Sequence, residues 1–172
     1  MGVDRSRRGQ SQKRLGLTAF SAPQELHDLA FRYALAVDTR DSAMLASIFT
    51  REGVVRGYGE NPIEFCGGEG LSRMIAQVDA SFDQTMHNVF NQTFERADDG
   101  SVSGMTTCIA SHILKGEDCT LLDFAMRYHN RYAQEAGRWK FAERRLEVVW
   151  VETRPVQRFT AAMMASDLKE FR

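Results

Sequence analysis

Several residue patterns and motifs that identify common classes of protein are missing from this sequence. It has three cysteines, Cys66, Cys108 and Cys119, and no CxxC pair. Neither a disulfide scaffold nor a cysteine zinc site is therefore expected, and a reducing cytoplasm is the predicted location. There is no P-loop, GxGxxG, HExxH or GxSxG motif, so nothing local supports nucleotide hydrolysis, dinucleotide redox chemistry or serine hydrolysis. Four scattered histidines do not define a metal site, and none is predicted.

Strong charge and long apolar runs are also missing. The 172 residues carry a formal net charge of -1, which argues against a dedicated nucleic-acid binder. No apolar run reaches the roughly 18 residues of a membrane-spanning helix. Residues 1–14 hold five basic residues and one acidic residue, with no apolar segment after them that would make a secretory signal. We expect residues 1–20 to be a disordered, solvated basic tail, with a phosphate-binding arm as the alternative.

The first half of the chain predicts three helices. Between about Ser21 and Asp38, apolar residues recur at steps of three and four and form one buried stripe: Leu26, Leu29, Ala30, Tyr33, Ala34 and Val37. Asp41 is expected to cap a second, short helix that ends near Phe49. Residues 70–82 show the same periodicity and predict a third helix.

The second half of the chain predicts a sheet. A short strand is expected at residues 54–58. Period-two patterns then predict four long strands at 86–96, 101–114, 120–133 and 138–151, separated by tight turns. Helices followed by an antiparallel meander indicate an α+β domain, which we place at residues 21–152. Residues 153–172 are expected to form a helical extension that covers the sheet or a partner subunit.

A few polar residues stand where they could line a cavity beside that sheet. In a regular strand His87 and Asn91 share one face, and Cys108, Ala110 and His112 share a face of the next strand. Small residues there would leave room above the sheet. Asp38 ends the first helix, where the helix dipole disfavours a carboxylate unless a donor or cation compensates, and a histidine would serve. The alternatives remain core histidines, a solvated capping aspartate and, for Tyr33, a core aromatic.

Several segments together resemble a known family. Tyr33-Ala34-Leu35-Ala36-Val37-Asp38-Thr39-Arg40-Asp41 is followed by Ile48-Phe49-Thr50-Arg51-Glu52-Gly53-Val54, then by Thr85-Met86-His87-Asn88-Val89, and finally by residues 137–145, GRWKFAERR. Their order and spacing over residues 24–152 are similar to those of SnoaL-like proteins in the nuclear transport factor 2-like superfamily. The resemblance implies a cystatin-like cone, in which a strongly curved antiparallel sheet wraps three N-terminal helices around a pocket.

Within that superfamily the chain most resembles the branch of scytalone dehydratase, bile-acid dehydratase and lindane dehydrochlorinase. The resemblance implies a cofactor-free catalytic aspartate–histidine pair at Asp38 and His87, with Tyr33 and His112 as further catalytic residues. It also departs from the dehydratases. Their first-strand tyrosine falls on Gly57, beside Tyr58, and two charged pocket residues of the bile-acid enzyme fall on Ala110 and Val148. The expected substrate-binding residues are Tyr58, Asn91, Cys108, Ala110 and Val148.

The predicted function is that of a lyase, of dehydratase or dehydrohalogenase type, acting on a small hydrophobic cyclic compound and needing no cofactor. An isomerase or cyclase using the same pair is one alternative. The others are a non-catalytic small subunit of a ring-hydroxylating dioxygenase and a ligand-binding module. We expect a homo-oligomer, dimeric or trimeric, that contacts neither nucleic acid nor membrane. Four arginines of the last two strands are expected mainly on solvated faces or at subunit contacts: Arg127, Arg131, Arg144 and Arg145.

Overall fold

The computed structural model describes residues 18–19, 23–57, 62–116 and 118–157. Its helices are α1 (Gln24–Asp38), α2 (Ser42–Ser47) and α3 (Gly67–Ser81). Its strands are β1 (Thr18–Ala19), β2 (Phe49–Arg56), β3 (Glu64–Cys66), β4 (Phe82–Arg96), β5 (Val102–Leu114), β6 (Thr120–Glu135) and β7 (Arg138–Pro155).

The helices follow from the sequence pattern. All six residues of the stripe expected on α1 are buried, and the helix begins after Pro23, whose fixed φ suits a helix start. Asp41 caps α2 as predicted, because its carboxylate accepts a hydrogen bond from the Met44 backbone N–H at 2.8 Å. Helix α3 begins at Gly67, three positions before the predicted start at residue 70.

One sheet holds all seven described strands, in the order β1-β4-β5-β6-β7-β2-β3. The predicted meander β4–β7 is antiparallel throughout, whereas β2 joins β7 in parallel. Register shifts interrupt the pairing of β4 with β5 and of β6 with β7, and bulges of this kind bend and twist a sheet. With α1 packed on β4 and β7 and α3 on β2 and β3, the predicted α+β cone is confirmed.

The core lies between α1 and the concave side of the sheet. Leu26, Leu45, Phe49 and Phe141 are each at most 1% exposed. Burying a large apolar side chain stabilises the fold by roughly 1.5–3 kcal/mol, so this cluster fixes how α1 lies on the sheet. The position of α1 in turn fixes the position of Asp38 at its end.

The predicted boundaries differ from the structure at both ends. Thr18 and Ala19, placed in the expected tail, pair instead with Glu95 and Arg96 at the edge of the sheet. Strand β7 runs on to Pro155 because its last residues pair with β6, so the expected extension does not begin at residue 153. Tyr58, most of the basic tail and residues 158–172 lie outside the described residues.

Two surface features bear on the predicted partners. No helix within the described ranges is long and apolar enough to cross a membrane. Large apolar side chains are exposed, among them Met86, Phe90 and Trp150, and such surfaces favour association. The homo-oligomer stays a prediction.

Candidate active site

Asp38 and His87 meet at the junction of α1 and β4. Asp38 is the last residue of α1, and His87 lies near the start of β4. The Nδ1 atom of His87 is 2.7 Å from Oδ1 of Asp38, and the His87 backbone N–H donates to Oδ2 at 2.9 Å. Two separate hydrogen bonds therefore hold the Asp38 carboxylate against His87. The structure brings together the pair that the sequence singled out.

This geometry favours the ionised form of Asp38 and selects the tautomer of neutral His87. Burial raises the pKa of Asp38, but the hydrogen bonds and charge of His87 and the hydrogen bond from Thr85 outweigh it and hold the pKa below its ordinary value. The carboxylate is therefore ionised at neutral pH and accepts the Nδ1 proton of His87. The His87 side chain is only 6% exposed. In neutral His87 the atom that can accept a proton is Nε2.

Two further residues, Arg40 and Thr85, form a hydrogen-bonded chain that ends at the Asp38 carboxylate. The Thr85 hydroxyl donates to Oδ1 of Asp38 at 2.8 Å and accepts from Nη1 of Arg40 at 2.8 Å. The same Nη1 donates to the Val37 carbonyl at 2.6 Å. Arg40 has a positive φ of 59°, which turns the chain back so that its guanidinium lies under the helix end. Neither residue was predicted to contribute to the site. Thr85 lies two positions before His87 on the same strand, and this spacing was the only feature of the sequence that pointed to it.

His112 faces the same region from β5. Its ring centroid lies 5.3 Å from that of His87, and its Nδ1 is 2.9 Å from the Ala110 carbonyl. A carbonyl oxygen only accepts, so Nδ1 carries the proton and Nε2 is an acceptor. Burial, together with the nearby His87, lowers the pKa of His112 to about 4. His112 is therefore neutral at neutral pH.

His87 and His112 line one cavity of about 450 Å³ between α1, α3 and the sheet. Apart from a few polar groups its lining is apolar, with Phe82, Phe124 and Leu146 among the contributors. The polar side chains that reach it include Tyr33, Gln77, His87, His112 and Tyr128. Small-molecule sites have this volume and this mixture of apolar walls with a few placed polar groups.

A second depression, of about 460 Å³, lies on the other face of the sheet. Its charged side chains include Arg131 and Glu143, which pair with each other at 3.0 Å. Across the described residues, no group of three or more histidine, cysteine, aspartate or glutamate side chains is placed to hold a metal ion.

Of the expected substrate-binding residues that the structure describes, only Ala110 lines the cavity. Asn91 does not, because a bulge between Val89 and Gln92 breaks the alternation of β4 and leaves Asn91 exposed. Cys108 is 2% exposed and packs within the sheet against Met126 and Tyr128. Burial raises the pKa of its thiol to about 11, so the thiol is protonated at neutral pH.

Val148 packs against that same buried cluster and is absent from the lining formed by the described residues. Tyr33 is 4% exposed, and its ring lies 6.4 Å from that of His87, edge to face. Burial raises the pKa of Tyr33, although the nearby Arg144 charge lowers it in part. Tyr33 is thus a protonated phenol beside His87, as well as a core aromatic.

A curved sheet wrapped on helices, with a carboxylate–imidazole pair at the wall of an apolar cavity, places the chain among the nuclear transport factor 2-like cones. The chain belongs to the SnoaL-like domain family, whose model matches residues 19–145. A comparison with curated proteins finds no match.

Solved structures share the fold. One is the hexachlorocyclohexane dehydrochlorinase LinA-type3 from Novosphingobium barchaimii LL02, with a TM-score of 0.70 and 21% identity over 80% of this chain and 92% of that one. A provisionally named scytalone dehydratase from Novosphingobium aromaticivorans DSM 12444 gives 0.67 and 19% over 78% and 88%. ActVI-ORFA from Streptomyces coelicolor gives 0.61 and 19% over 73% and 96%. At these identities the likeness establishes the fold.

Proposed function

We propose that this protein is a cofactor-independent lyase that eliminates water or halide from a small hydrophobic cyclic compound. The observation that carries the proposal is the contact of 2.7 Å between His87 Nδ1 and Asp38 Oδ1 at the wall of an apolar cavity. A carboxylate that fixes one imidazole nitrogen leaves the other as a general base whose charged form it also stabilises. The names of the dehydrochlorinase and the scytalone dehydratase are consistent with such chemistry.

The proposed reaction begins when Nε2 of His87 takes a proton from a carbon of the substrate. The C–H electrons form the new double bond, and the carbon–oxygen or carbon–halogen bond breaks with its electrons on the leaving group. Asp38 stabilises the imidazolium, which then returns its proton to a departing hydroxide or to solvent. General acid–base help of this kind contributes roughly 10²–10⁴-fold to a rate.

The tautomer of His112 favours Tyr33 over His112 as the proposed hydrogen-bond donor. In the proposed reaction either Tyr33 or His112 would donate to a carbonyl or to the departing oxygen. The Nδ1 proton of His112 is engaged by the Ala110 carbonyl and its Nε2 is an acceptor. Tyr33, whose phenol is protonated, is therefore the proposed donor, and His112 is the proposed acceptor that orients a substrate hydroxyl.

An isomerase or cyclase would begin with the same proton abstraction, and the products separate the three reactions. Elimination lowers the substrate mass by that of water or hydrogen halide, whereas isomerisation leaves it unchanged. A dioxygenase small subunit or a binding module needs neither a fixed imidazole tautomer nor a carboxylate held by several donors. The Asp38 contacts therefore favour catalysis.

The test compares His87→Ala with His129→Ala on a panel of cyclic hydroxyketones and polychlorinated cyclohexanes, followed by mass spectrometry of the products. His129 is the matched control because it pairs with Glu147 at 2.6 Å and does not line the cavity formed by the described residues. We expect His87→Ala to lose at least roughly a hundredfold in kcat/KM with an unchanged circular dichroism spectrum. Elimination at the wild-type rate in His87→Ala would disprove the proposal.

A further inference from the structure

Arg144 is an arginine enclosed in the core of the protein. It lies on β7 and is 0% exposed. Its guanidinium carbon is 4.1 Å from the centroid of the Tyr33 ring and 4.0 Å from that of Tyr128. The Phe141 ring follows at 4.9 Å. The cation is thus held between aromatic faces, which attract it through their ring quadrupoles.

The contacts leave its hydrogen-bonding capacity unused. Within the described part of the chain, none of the three nitrogen atoms of the guanidinium has a hydrogen-bond partner, and no carboxylate there forms an ion pair with Arg144. A buried charge without hydrogen bonds or a counter-charge destabilises a fold strongly, and hydrophobic replacements of such charges are often neutral or stabilising. Folding alone therefore does not account for an arginine at this position.

The location of Arg144 relative to the cavity suggests a use for its charge. Tyr33 and Tyr128 both line the cavity, so the cation lies one aromatic ring behind its wall. Burial raises the pKa of both phenols and the charge of Arg144 opposes that rise, as expected for a cation that lies against both rings. The field of a buried charge is screened less than that of a charge in water.

We propose that Arg144 makes this cavity a binding site for an organic oxyanion, such as the enolate or phenolate oxygen of a cyclic compound, which Tyr33 hydrogen-bonds and the buried guanidinium stabilises from behind the tyrosine rings. The inference rests on the proposed function where it names a substrate class. Proton abstraction by His87 beside a carbonyl gives an enolate oxygen that this field favours. A halogenated cycloalkane without a carbonyl gives no oxyanion, so the field favours carbonyl compounds as substrates.

The experiment measures equilibrium binding of 4-nitrophenol to the full chain, because its phenolate has a visible absorbance that the phenol lacks. The neutral reference ligand is 4-nitroanisole, which has the same ring and cannot ionise. At a separation of about 8 Å and an effective dielectric constant of about 20, a unit positive charge favours the bound phenolate over the phenol roughly thirtyfold. The wild-type protein should therefore lower the pKa of bound 4-nitrophenol and bind its phenolate more tightly than 4-nitroanisole.

Three variants assign the effect to Arg144. Arg144→Met removes the charge and keeps an apolar chain, and it should lose the phenolate preference while binding 4-nitroanisole as before. Arg144→Lys keeps the charge and should retain much of the preference. Arg145→Met is the matched control, since Arg145 is exposed and lines the depression on the other face of the sheet, and it should behave like wild type. If Arg144→Met does not fold, Arg144→Gln provides the same comparison.

The remaining titratable groups at the cavity, His87, His112 and Tyr128, with Asp38 behind His87, are common to all these proteins. Comparison at one pH therefore isolates Arg144. A wild-type protein that binds the phenolate no more tightly than 4-nitroanisole would overturn the inference, as would an uncharged variant at residue 144 that keeps the preference. Both readouts are separate from turnover. A phenolate preference with activity that survives His87→Ala would reject the catalytic pair and leave the oxyanion site standing.

Discussion

At the scale of single residues, Asp38 occupies a place that is unfavourable for a carboxylate. It ends α1, where the partial negative charge of the last carbonyl groups raises the energy of an anion. Three donors compensate, namely the Thr85 hydroxyl and the backbone N–H and Nδ1–H of His87. Arg40, close to the same helix end, adds a positive charge and donates to the Val37 carbonyl. These contacts offset the unfavourable position of Asp38, and those made by His87 also fix the orientation of its ring.

Thr85→Val tests whether Thr85 positions the pair. Valine matches the shape of threonine but neither donates to Asp38 nor accepts from Arg40. Since the Thr85 hydrogen bond is one of the causes that lower the pKa of Asp38, we expect that pKa to rise in the variant. Loss of a hydrogen bond to a charged group should also lower the free energy of unfolding by about 1.5–3 kcal/mol. Carbon-13 NMR titration of the Asp38 carboxyl and urea unfolding give the two values.

The control for Thr85→Val is Thr93→Val, because Thr93 lies on the same strand and its side chain is exposed. The control should leave the Asp38 titration unchanged. An Asp38 pKa in Thr85→Val that equals the wild-type value would show that His87 alone holds the carboxylate. Arg40 would then have no effect on the Asp38 pKa through Thr85.

At the scale of elements, periodicity predicted the helices and long strands but not the interruptions within them. The stripe on α1 and the four meander strands are readable because each repeats its pattern over many residues. A bulge inserts one residue without a sequence signature of its own. The bulge between Val89 and Gln92 in β4 turns Asn91 away from the cavity. One bulge of β7 lies near Ala142, between the pairs Phe141–Tyr132 and Glu143–Arg131, and turns Arg144 to the buried side on which Phe141 lies.

Hydrophobic periodicity also did not predict the short elements or the close contacts between strands. Strand β3 has three residues, too few for a period to show. The small residues of β5 were taken as room above the sheet, but only at Ala110 does a small side chain line the cavity. At Gly104 a Cβ would lie 2.3 Å from the Thr93 carbonyl oxygen and 3.3 Å from both the Phe94 and Tyr132 rings. Glycine is required there by the approach of β4 and by core packing.

Gly104→Ala tests this explanation. The added methyl group contacts the backbone of the paired strand β4, which cannot move without disturbing the hydrogen bonds between the two strands. Overpacking of this kind lowers the free energy of unfolding by about 1–3 kcal/mol. Gly68→Ala in α3 is the matched change, since nothing lies within 4 Å of its added Cβ and alanine is the better helix former by about 1 kcal/mol. Urea unfolding should show Gly104→Ala destabilised and Gly68→Ala equal to or above wild type. Equal stability of the two variants would contradict the close approach.

At the scale of the whole molecule, the site is assembled from segments far apart in the chain. The end of α1 supplies Asp38, β4 supplies His87, and β5 supplies His112. The register that pairs His87 with Ala110 and Thr85 with His112 sets the two imidazoles against one cavity. Residue types and their order along the chain were enough to anticipate Asp38 and His87 through the family resemblance. The tautomer of His112 and the enclosure of Arg144 depend on packing between elements, which no local pattern encodes.

The buried imidazole of His112 should make the stability of the whole fold depend on pH. Its folded-state pKa of about 4 lies below the ordinary value of 6.5 because of burial and the proximity of His87. As the pH falls below 6.5 the unfolded chain binds a proton at this position that the folded protein does not, so stability is lost between pH 6.5 and about 4. The displacement corresponds to about 3 kcal/mol.

Chemical denaturation at pH 7 and pH 4 measures this loss in wild type and in His112→Asn, whose side-chain amide can still donate toward the Ala110 carbonyl. We expect wild type to lose up to about 3 kcal/mol more than His112→Asn over that interval. His27→Asn, at a histidine that packs on Phe94 away from the cavity lining, should follow wild type. The difference between wild type and His112→Asn isolates one imidazole, because carboxylates such as Asp38 contribute equally to both. Parallel losses in the two proteins would mean that His112 takes up its proton as readily in the fold as in the unfolded chain, and its assignment as a neutral acceptor in the cavity would then be wrong.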